Sequence, residues 1–426
     1  MTAQGVRGEA LQSAGERFAA APGLLSRLVA PGFNSLINRI DAGLAKGTLH
    51  AHLPDGTQRK LGGRAAGFEA TIWLNDWRGL IRLATNGVIG FYQAYEAGEW
   101  EADDHVMLLA LLSANARTLG NIARSSGPFR WAARIAHRLN RNDRRGAARN
   151  IAAHYDLGND FYAAWLGEAM SYSSAIFDKP AQSLAAGQQR KMRAIAERLT
   201  LAPGARVLEI GCGWGAQARM LADEYGAAVE AISLSQAQIA WCSEHAQPHS
   251  ANGTAAFAVR DYRDVTETYD AIACVEMVEA LGREYWPSFM DQIAARLKPG
   301  GRAAIQYIVM ADDLFETYAG TVDFIQAYIF PGGLLIKSSE FRALAEARGL
   351  EWRDETGFGL DYARTLKLWR KRFDAAAAEG RLPPGFDARF LRLWRFYLAY
   401  CEAGFRAGNI DVHQVTLVKA LDGDDQ

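Results

Sequence analysis

The run Val207-Leu208-Glu209-Ile210-Gly211-Cys212-Gly213-Trp214-Gly215 leaves a chain of this kind few folds to choose from. A strand-like segment leads into three glycines at alternate positions, and a helix-forming stretch over 217–225 follows. Glycine lacks a Cβ, so the backbone turns sharply there and approaches a ligand closely. The pattern then repeats. Short apolar segments at 207–210, 228–232, 255–259, 271–275 and 303–306 read as strands, with helical periodicity over 217–225, 236–245 and 285–297 between them. Strands alternating with helices of that length imply βαβ units and a parallel sheet. Lys298-Pro299-Gly300-Gly301 reads as a helix stop and a turn into the next strand.

The expected fold class is therefore α/β, with a Rossmann-like domain built around that loop. The loop's spacing narrows the ligand. The third glycine falls two residues after the second, not three as in the G-x-G-x-x-G form of dinucleotide sites. Acidic Glu209 precedes the glycines by two residues, where it counters an amino group or a cationic sulfonium. These features, with the Asp270-Ala271-Ile272-Ala273 strand and the Pro-Gly-Gly turn where methyltransferases place theirs, indicate S-adenosylmethionine. Glu209, Gly211, Cys212 and Gly213 are its first candidate contacts. Ser233, Leu234 and Gln238 follow the second strand and offer hydrogen bonds to ribose or adenine, although Ser235 is equally suited to cap a helix. Asp261 and Tyr262 follow the third strand as adenine contacts, or as a cap and a packed ring. Val275 ends the fourth, and Glu276 is a weaker candidate at the cofactor's edge.

Two further regions flank this domain. Residues 11–119 mix helical periodicity with strand-like pieces at 49–53 and 70–74, and Pro54-Asp55-Gly56 marks a hairpin. This is a smaller α+β module. The stretch 130–149 carries Arg130, Arg134, Arg138, Arg141, Arg144, Arg145 and Arg149. It reads either as a solvated linker helix or as a patch for phosphate headgroups. The boundaries drawn are 1–125 for the first module, 126–150 for the linker and 151–426 for the catalytic domain. Beyond Tyr318 the chain reads as largely helical and aromatic.

Composition excludes some partners. A formal net charge of -1 argues against nucleic acid as the acceptor, as does the absence of an Asn/Asp-Pro-Pro-aromatic motif. The four cysteines have no metal-ligand spacing, so no metal is expected, and their sparse use suits a reducing compartment. No apolar run reaches the roughly 18 to 20 residues that span a bilayer. The expected address is the cytoplasm, peripheral on the inner membrane face.

The most specific segments lie elsewhere. His154-Tyr155-Asp156-Leu157-Gly158-Asn159-Asp160-Phe161-Tyr162 and Met170-Ser171-Tyr172-Ser173-Ser174-Ala175 resemble the entry to the catalytic domain of cyclopropane-fatty-acyl-phospholipid synthases and mycolic-acid methyltransferases. The resemblance continues through Val275-Glu276-Met277-Val278-Glu279, Tyr328-Ile329-Phe330-Pro331-Gly332-Gly333 and Phe358-Gly359-Leu360-Asp361-Tyr362. It closes on Trp394-Arg395-Phe396-Tyr397-Leu398-Ala399-Tyr400-Cys401-Glu402, and it makes the first module a lipid-handling domain. It implies methyl transfer from S-adenosylmethionine, held partly by Tyr172 and Ser173, to the double bond of an acyl chain in a membrane phospholipid. A carbocation results, and in the family a bicarbonate ion takes the proton that closes a cyclopropane ring. Its ligands would be Ser174, Glu279, Gln306, Ile308 and Tyr362. Aromatic walls for the cation would come from residues such as Phe315, Tyr318, Phe324, Tyr328, Phe330, Trp369, Phe373 and Trp394. The residues leave the oligomeric state open, although members of that family commonly pair as homodimers.

Three positions depart from the family pattern. Ser174 stands where many members have cysteine, Gln306 where many have histidine, and Ala280 replaces a histidine that often follows the glutamate. Glutamine cannot become cationic, so its hold on an anion weakens. A methyl-branched or methylene product without ring closure, a precursor of branched or furan fatty acids, stands as the alternative. A lipid-binding protein with a relic cofactor fold is the third reading.

Overall fold

The computed structural model describes residues 7–16, 32–120, 157–245 and 252–421; the basic segment 130–149 and His154-Tyr155-Asp156 lie outside them. The chain divides into two compact units. The first comprises Met1–Asn140, Asp313–Pro331 and Pro384–Ile410, and the second Arg141–Asp312, Gly332–Pro383 and Asp411–Gln426. Two late segments that the sequence grouped with 151–426 thus belong with the N-terminal residues. The helix His105–Ala114 explains one of them, because it is apolar almost all round and must be covered. The late helix Ala388–Ala407 packs along it and buries Leu393, Trp394, Phe396 and Tyr397.

The first unit carries four strands, β1 (Thr48–His52), β2 (Gln58–Gly62), β3 (Glu69–Leu74) and β4 (Trp100–Ala102), in the order β2-β1-β3-β4. β1 and β2 form the expected antiparallel hairpin. Gly56 takes φ 83° at its turn, and the Asp55 carboxylate accepts from the Thr57 amide at 2.9 Å. Tyr92, Phe324, Tyr328 and Phe396 pack ring to ring in this unit's interior. Phe315, Tyr318, Phe330 and Trp394 also belong to this unit, whereas Trp369 and Phe373 belong to the second.

The second unit holds a seven-stranded sheet in the order β10-β11-β9-β8-β5-β6-β7. Its strands are β5 (Arg206–Ile210), β6 (Ala228–Ser233), β7 (Thr254–Val259), β8 (Tyr269–Val275), β9 (Leu297–Met310), β10 (Leu350–Gly357) and β11 (Ile410–Lys419). β5 pairs in parallel with β6 and β8, β6 with β7, and β8 with β9. From β5 the chain builds outward through β6 and β7, then returns to add β8 and β9 on the other side. The switch in direction opens a crevice at the carboxyl ends of β5 and β8, where ligands of such sheets bind. Beneath it Ile195, Leu199, Val207, Leu221, Val229 and Ala271 form a closed apolar core.

Two expectations are corrected. Lys298-Pro299-Gly300-Gly301 does not separate a helix from a later strand; β9 runs through it from Leu297, with a register shift opposite Tyr269 and Ala271 that absorbs the turn residues. The chain beyond Tyr318 is also not simply helical, for β10 and β11 pair antiparallel there. Leu350 and Trp352 alternate with charged neighbours in β10, and β11 spaces Val412, Val415 and Val418 among polar residues, signals that the aromatic helices around them obscured. Among the described residues, no helix is long and apolar enough to cross a membrane.

Candidate active site

The glycine loop forms as its sequence demands. Gly211 follows β5 with φ 83°, and a Cβ there would lie 2.8 Å from the Met277 side chain. Gly213 takes φ 53° with nothing within 4 Å of a Cβ position, so the loop is open over its middle glycine. Glu209 lies one strand step before it, 3% exposed, and its Oε2 has no hydrogen-bond partner. Burial raises its carboxyl to about 8. A buried oxygen without a donor costs free energy unless a ligand supplies one. Glu209 and the open glycine turn therefore fit a ligand that brings a cationic amino or sulfonium group, as S-adenosylmethionine does.

Around the loop the other candidates are ordered by local bonds. Ser233 Oγ donates to Gln238 Oε1 at 3.0 Å and accepts from the Ser235 amide, while Ser235 caps the helix Gln236–Glu244. Leu234 lies between the two serines. Asp261 caps a short 3-10 turn and holds Arg263 through both carboxylate oxygens, and Tyr262 packs its buried ring edge-on to Phe289. Cys212 is buried, with its thiol 3.8 Å from the Gly213 carbonyl oxygen. Tyr172 packs against Trp369, with ring centres 5.5 Å apart. Ser173 Oγ accepts from Lys191 Nζ at 2.8 Å, and Gln188 donates to the Ser173 carbonyl.

One strand over, at the end of β8, three of the five residues expected to hold bicarbonate meet on a carboxylate of the protein itself. The Ser174 amide donates to Glu276 Oε1 at 2.9 Å, Gln306 Nε2 donates to the same oxygen at 2.6 Å, and the Tyr362 hydroxyl donates to Oε2 at 2.6 Å. The other two, Glu279 and Ile308, pair with each other: the Ile308 amide donates to Glu279 Oε1 at 2.5 Å. Glu279 Oε2 is buried without a partner. The Ser174 hydroxyl turns away and donates to the Ala175 carbonyl, so its exchange for cysteine leaves the backbone donor in place.

These donors do not fit bicarbonate. A second anion beside the Glu276 carboxylate would find its hydrogen bonds already spent and would meet like charge. Glu276 is held there against its backbone preference, since its φ is 49°, a conformation that costs a side-chain-bearing residue of order 1 kcal/mol or more. Such strain is stored where a side chain is needed.

Charge in the pocket is balanced by a residue that sequence reading passed over. Lys191, 2% exposed, donates to Ser171 and Ser173 hydroxyls. Burial pulls its ammonium down to about 8, against the opposing pull of Glu276 and Glu209. Burial pushes Glu276 upward, countered by Tyr362, Ser174, Gln306 and Lys191. Glu279 is pushed up to about 8 by burial and by the charge of Glu276. The second glutamate of Val275-Glu276-Met277-Val278-Glu279 was the obvious one; the signal for the first was an acid at a strand end beside glycine-loop neighbours. Lys191 gave no signal, because a lone lysine in a helical run reads as solvated.

Comparison with known proteins agrees with this geometry. The family model for mycolic acid cyclopropane synthetase matches residues 142–415. The chain is 37% identical over 350 residues to tuberculostearic acid methyltransferase UfaA1 of Mycobacterium tuberculosis, covering 79% of this chain and 80% of that protein. It is 31% identical over 343 residues to the cyclopropane-fatty-acyl-phospholipid synthase of Escherichia coli K12, covering 80% of this chain and 86% of that one. Mycolic acid cyclopropane synthase CmaA1, solved with SAH and CTAB, superposes with a TM-score of 0.60 at 27% identity, over 64% of this chain and 98% of that one. The open glycine turn and the unpartnered Oε2 of Glu209 meet the cofactor requirement of those proteins, and the chain belongs to the mycolic acid cyclopropane synthetase family as an S-adenosylmethionine-dependent methyltransferase.

Proposed function

We propose that the enzyme methylates the double bond of an unsaturated acyl chain carried by a membrane phospholipid, and that the product is a methylene or methyl-branched chain without a ring. The observation that carries this reading is the Glu276 carboxylate, which takes the donors that bicarbonate would need. The relative at 37% identity, named a methyltransferase and not a cyclopropane synthase, supports it. S-adenosylmethionine, when bound, supplies an electrophilic methyl group on a sulfonium.

Glu209, Gly211 and Gly213 would hold the donor's charged end, and Ser233 and Gln238 its nucleoside. The bound cofactor would supply its methyl carbon to the alkene π pair and keep the methyl–sulfur electron pair on sulfur. The neighbouring chain carbon becomes cationic. A hydride shift from the methylated carbon moves the charge there, making it tertiary. Glu276 then takes a proton from the new methyl, and the freed electron pair forms an exocyclic double bond. Tyr362 and Gln306 orient the carboxylate for that transfer. The buried ring of Trp369 and the partly buried ring of Tyr172 packed against it would exclude water and offer faces to a cation.

Ring closure through the same carboxylate is the second reading, favoured by the family model and the Escherichia coli relative. The test is incubation with S-adenosylmethionine and dioleoyl phosphatidylglycerol vesicles, followed by proton NMR of the released fatty acids. Vinylidene protons support the first reading; upfield cyclopropane protons overturn it in favour of the second. The basic segment 130–149 is proposed to engage anionic headgroups, so vesicle binding weakens with salt and with loss of Arg141, Arg144 and Arg145.

A further inference from the structure

Gln306 stands where the family often has a residue able to carry charge, and its amide has two chemically opposite ends. An oxygen turned onto the Glu276 carboxylate would repel it, and an NH2 group holds it. The structure contains the means of choosing. Gln306 Oε1 accepts from Gln414 Nε2 at 2.9 Å, and Gln414 Oε1 accepts from Arg198 Nε at 3.2 Å. Gln306 and Gln414 are 0% and 1% exposed, so bulk solvent does not reach a misturned amide. Arg198 is itself fixed by the Asp354 carbonyl at 2.5 Å and the Thr356 hydroxyl at 2.6 Å.

A guanidinium only donates and a carboxylate only accepts, so the polarity of both amides between them is forced. The geometry points to Arg198 and Gln414 as positioning residues, a relay of fixed sense that turns the Gln306 amide so that it donates to Glu276. The relay rests on the reading of Glu276 as the proton acceptor. It substitutes for a cationic side chain at position 306 by conducting the polarisation of a distant one through two amides. The other groups facing Glu276 are Tyr362, Lys191, the Ser174 amide and Glu279. The Gln414 side chain is hydrogen-bonded to Gln306 and Arg198, so the relay can be reversed while those groups stay in place.

Gln414→Glu in the full-length enzyme does this. The new carboxylate accepts from Arg198 and from Gln306 Nε2, which turns the Gln306 oxygen onto Glu276. Infrared difference spectroscopy follows protonation of the Glu276 carboxyl, identified by the band missing from Glu276→Gln. Loss of a hydrogen bond to a charged group moves this titration up by about one to two pH units. The acid limb of kcat on dioleoyl phosphatidylglycerol vesicles moves with it, and S-adenosylmethionine affinity by calorimetry stays within about twofold. Adding Gln306→His restores the original titration, because an imidazolium donates from both nitrogens. Should Gln414→Glu fail to fold, Gln414→Met removes the relay without a charge and gives a smaller shift in the same direction. An unmoved titration in the folded Gln414 variants overturns the relay alone. Full turnover in Glu276→Gln overturns the base assignment and the relay with it.

Discussion

Two loops at the ends of adjacent parallel strands meet the same backbone demand with opposite residues. After β5 the chain enters positive φ at Gly211, and after β8 it does so at Glu276. Glycine takes that conformation freely and adds no side chain of its own. Glutamate takes it at a cost and adds a carboxylate. One loop is a cradle open to a charged ligand, and the other carries its own charge. A strand end thus serves either for binding or for chemistry, according to whether the residue there has a side chain.

The largest effect that separates the two loops should come from Glu276→Gln. Turnover on phospholipid vesicles is expected to fall about a hundred- to ten-thousand-fold, the range for losing a positioned base. Calorimetric affinity for S-adenosylmethionine should hold within a few-fold; an equal loss of binding would mean that both loops serve the cofactor. Glu276→Gly makes the second loop like the first. The freed donors of Ser174, Gln306 and Tyr362 then resemble an anion site, and added bicarbonate should return part of the lost activity. Activity indifferent to bicarbonate would break the comparison.

Glu209→Gln attacks the other loop. Losing a charge-assisted partner is expected to weaken S-adenosylmethionine binding about ten- to a hundred-fold, with kcat at saturation little altered. A smaller effect concerns pH. Glu209 and Glu279 are held up to about 8, whereas unfolded glutamate titrates near about 4.3. Between those values the folded ligand-free enzyme holds protons that the unfolded chain has released, so stability is present at the acid end and lost as pH rises toward about 8. Thermal midpoints should therefore fall across that window, and less so with S-adenosylmethionine bound. A midpoint that rises with pH would contradict the buried, protonated carboxyls. The smallest change is Ser235→Ala, which removes the cap of Gln236–Glu244 and costs about 1 kcal/mol by denaturant unfolding.

Much of the sheet was legible because its signals are local. Strands at 207–210, 228–232, 255–259 and 271–275 lie within β5 to β8, each bounded by turn residues and a periodic helix. The residues around the glycine loop were legible for the same reason. β10 and β11 were harder, since each is stabilised by a partner far along the chain and carries many polar groups. The late segments of the first unit were hidden similarly, because what covers the apolar helix His105–Ala114 lies almost 300 residues later. At the candidate active site, the resemblance named Glu279, Gln306 and Tyr362 as a set. The convergence of Gln306 and Tyr362 on Glu276 was not legible, because it depends on register between β8 and β9 and on the helix Gly359–Ala378.

That register has one more consequence. Gln306 lies beside Val275 in the β8–β9 ladder, its carbonyl accepts from the Glu276 amide at 2.8 Å, and its side chain donates to the Glu276 carboxylate. The two residues are joined twice, once through the backbone and once through side chains. An apolar residue at either position alone would strand a buried polar group of the other. Across descendants of a common ancestor, positions 276 and 306 should therefore covary. Their joint identity then becomes a marker, readable from sequence alone, that sorts lineages by the origin of their base.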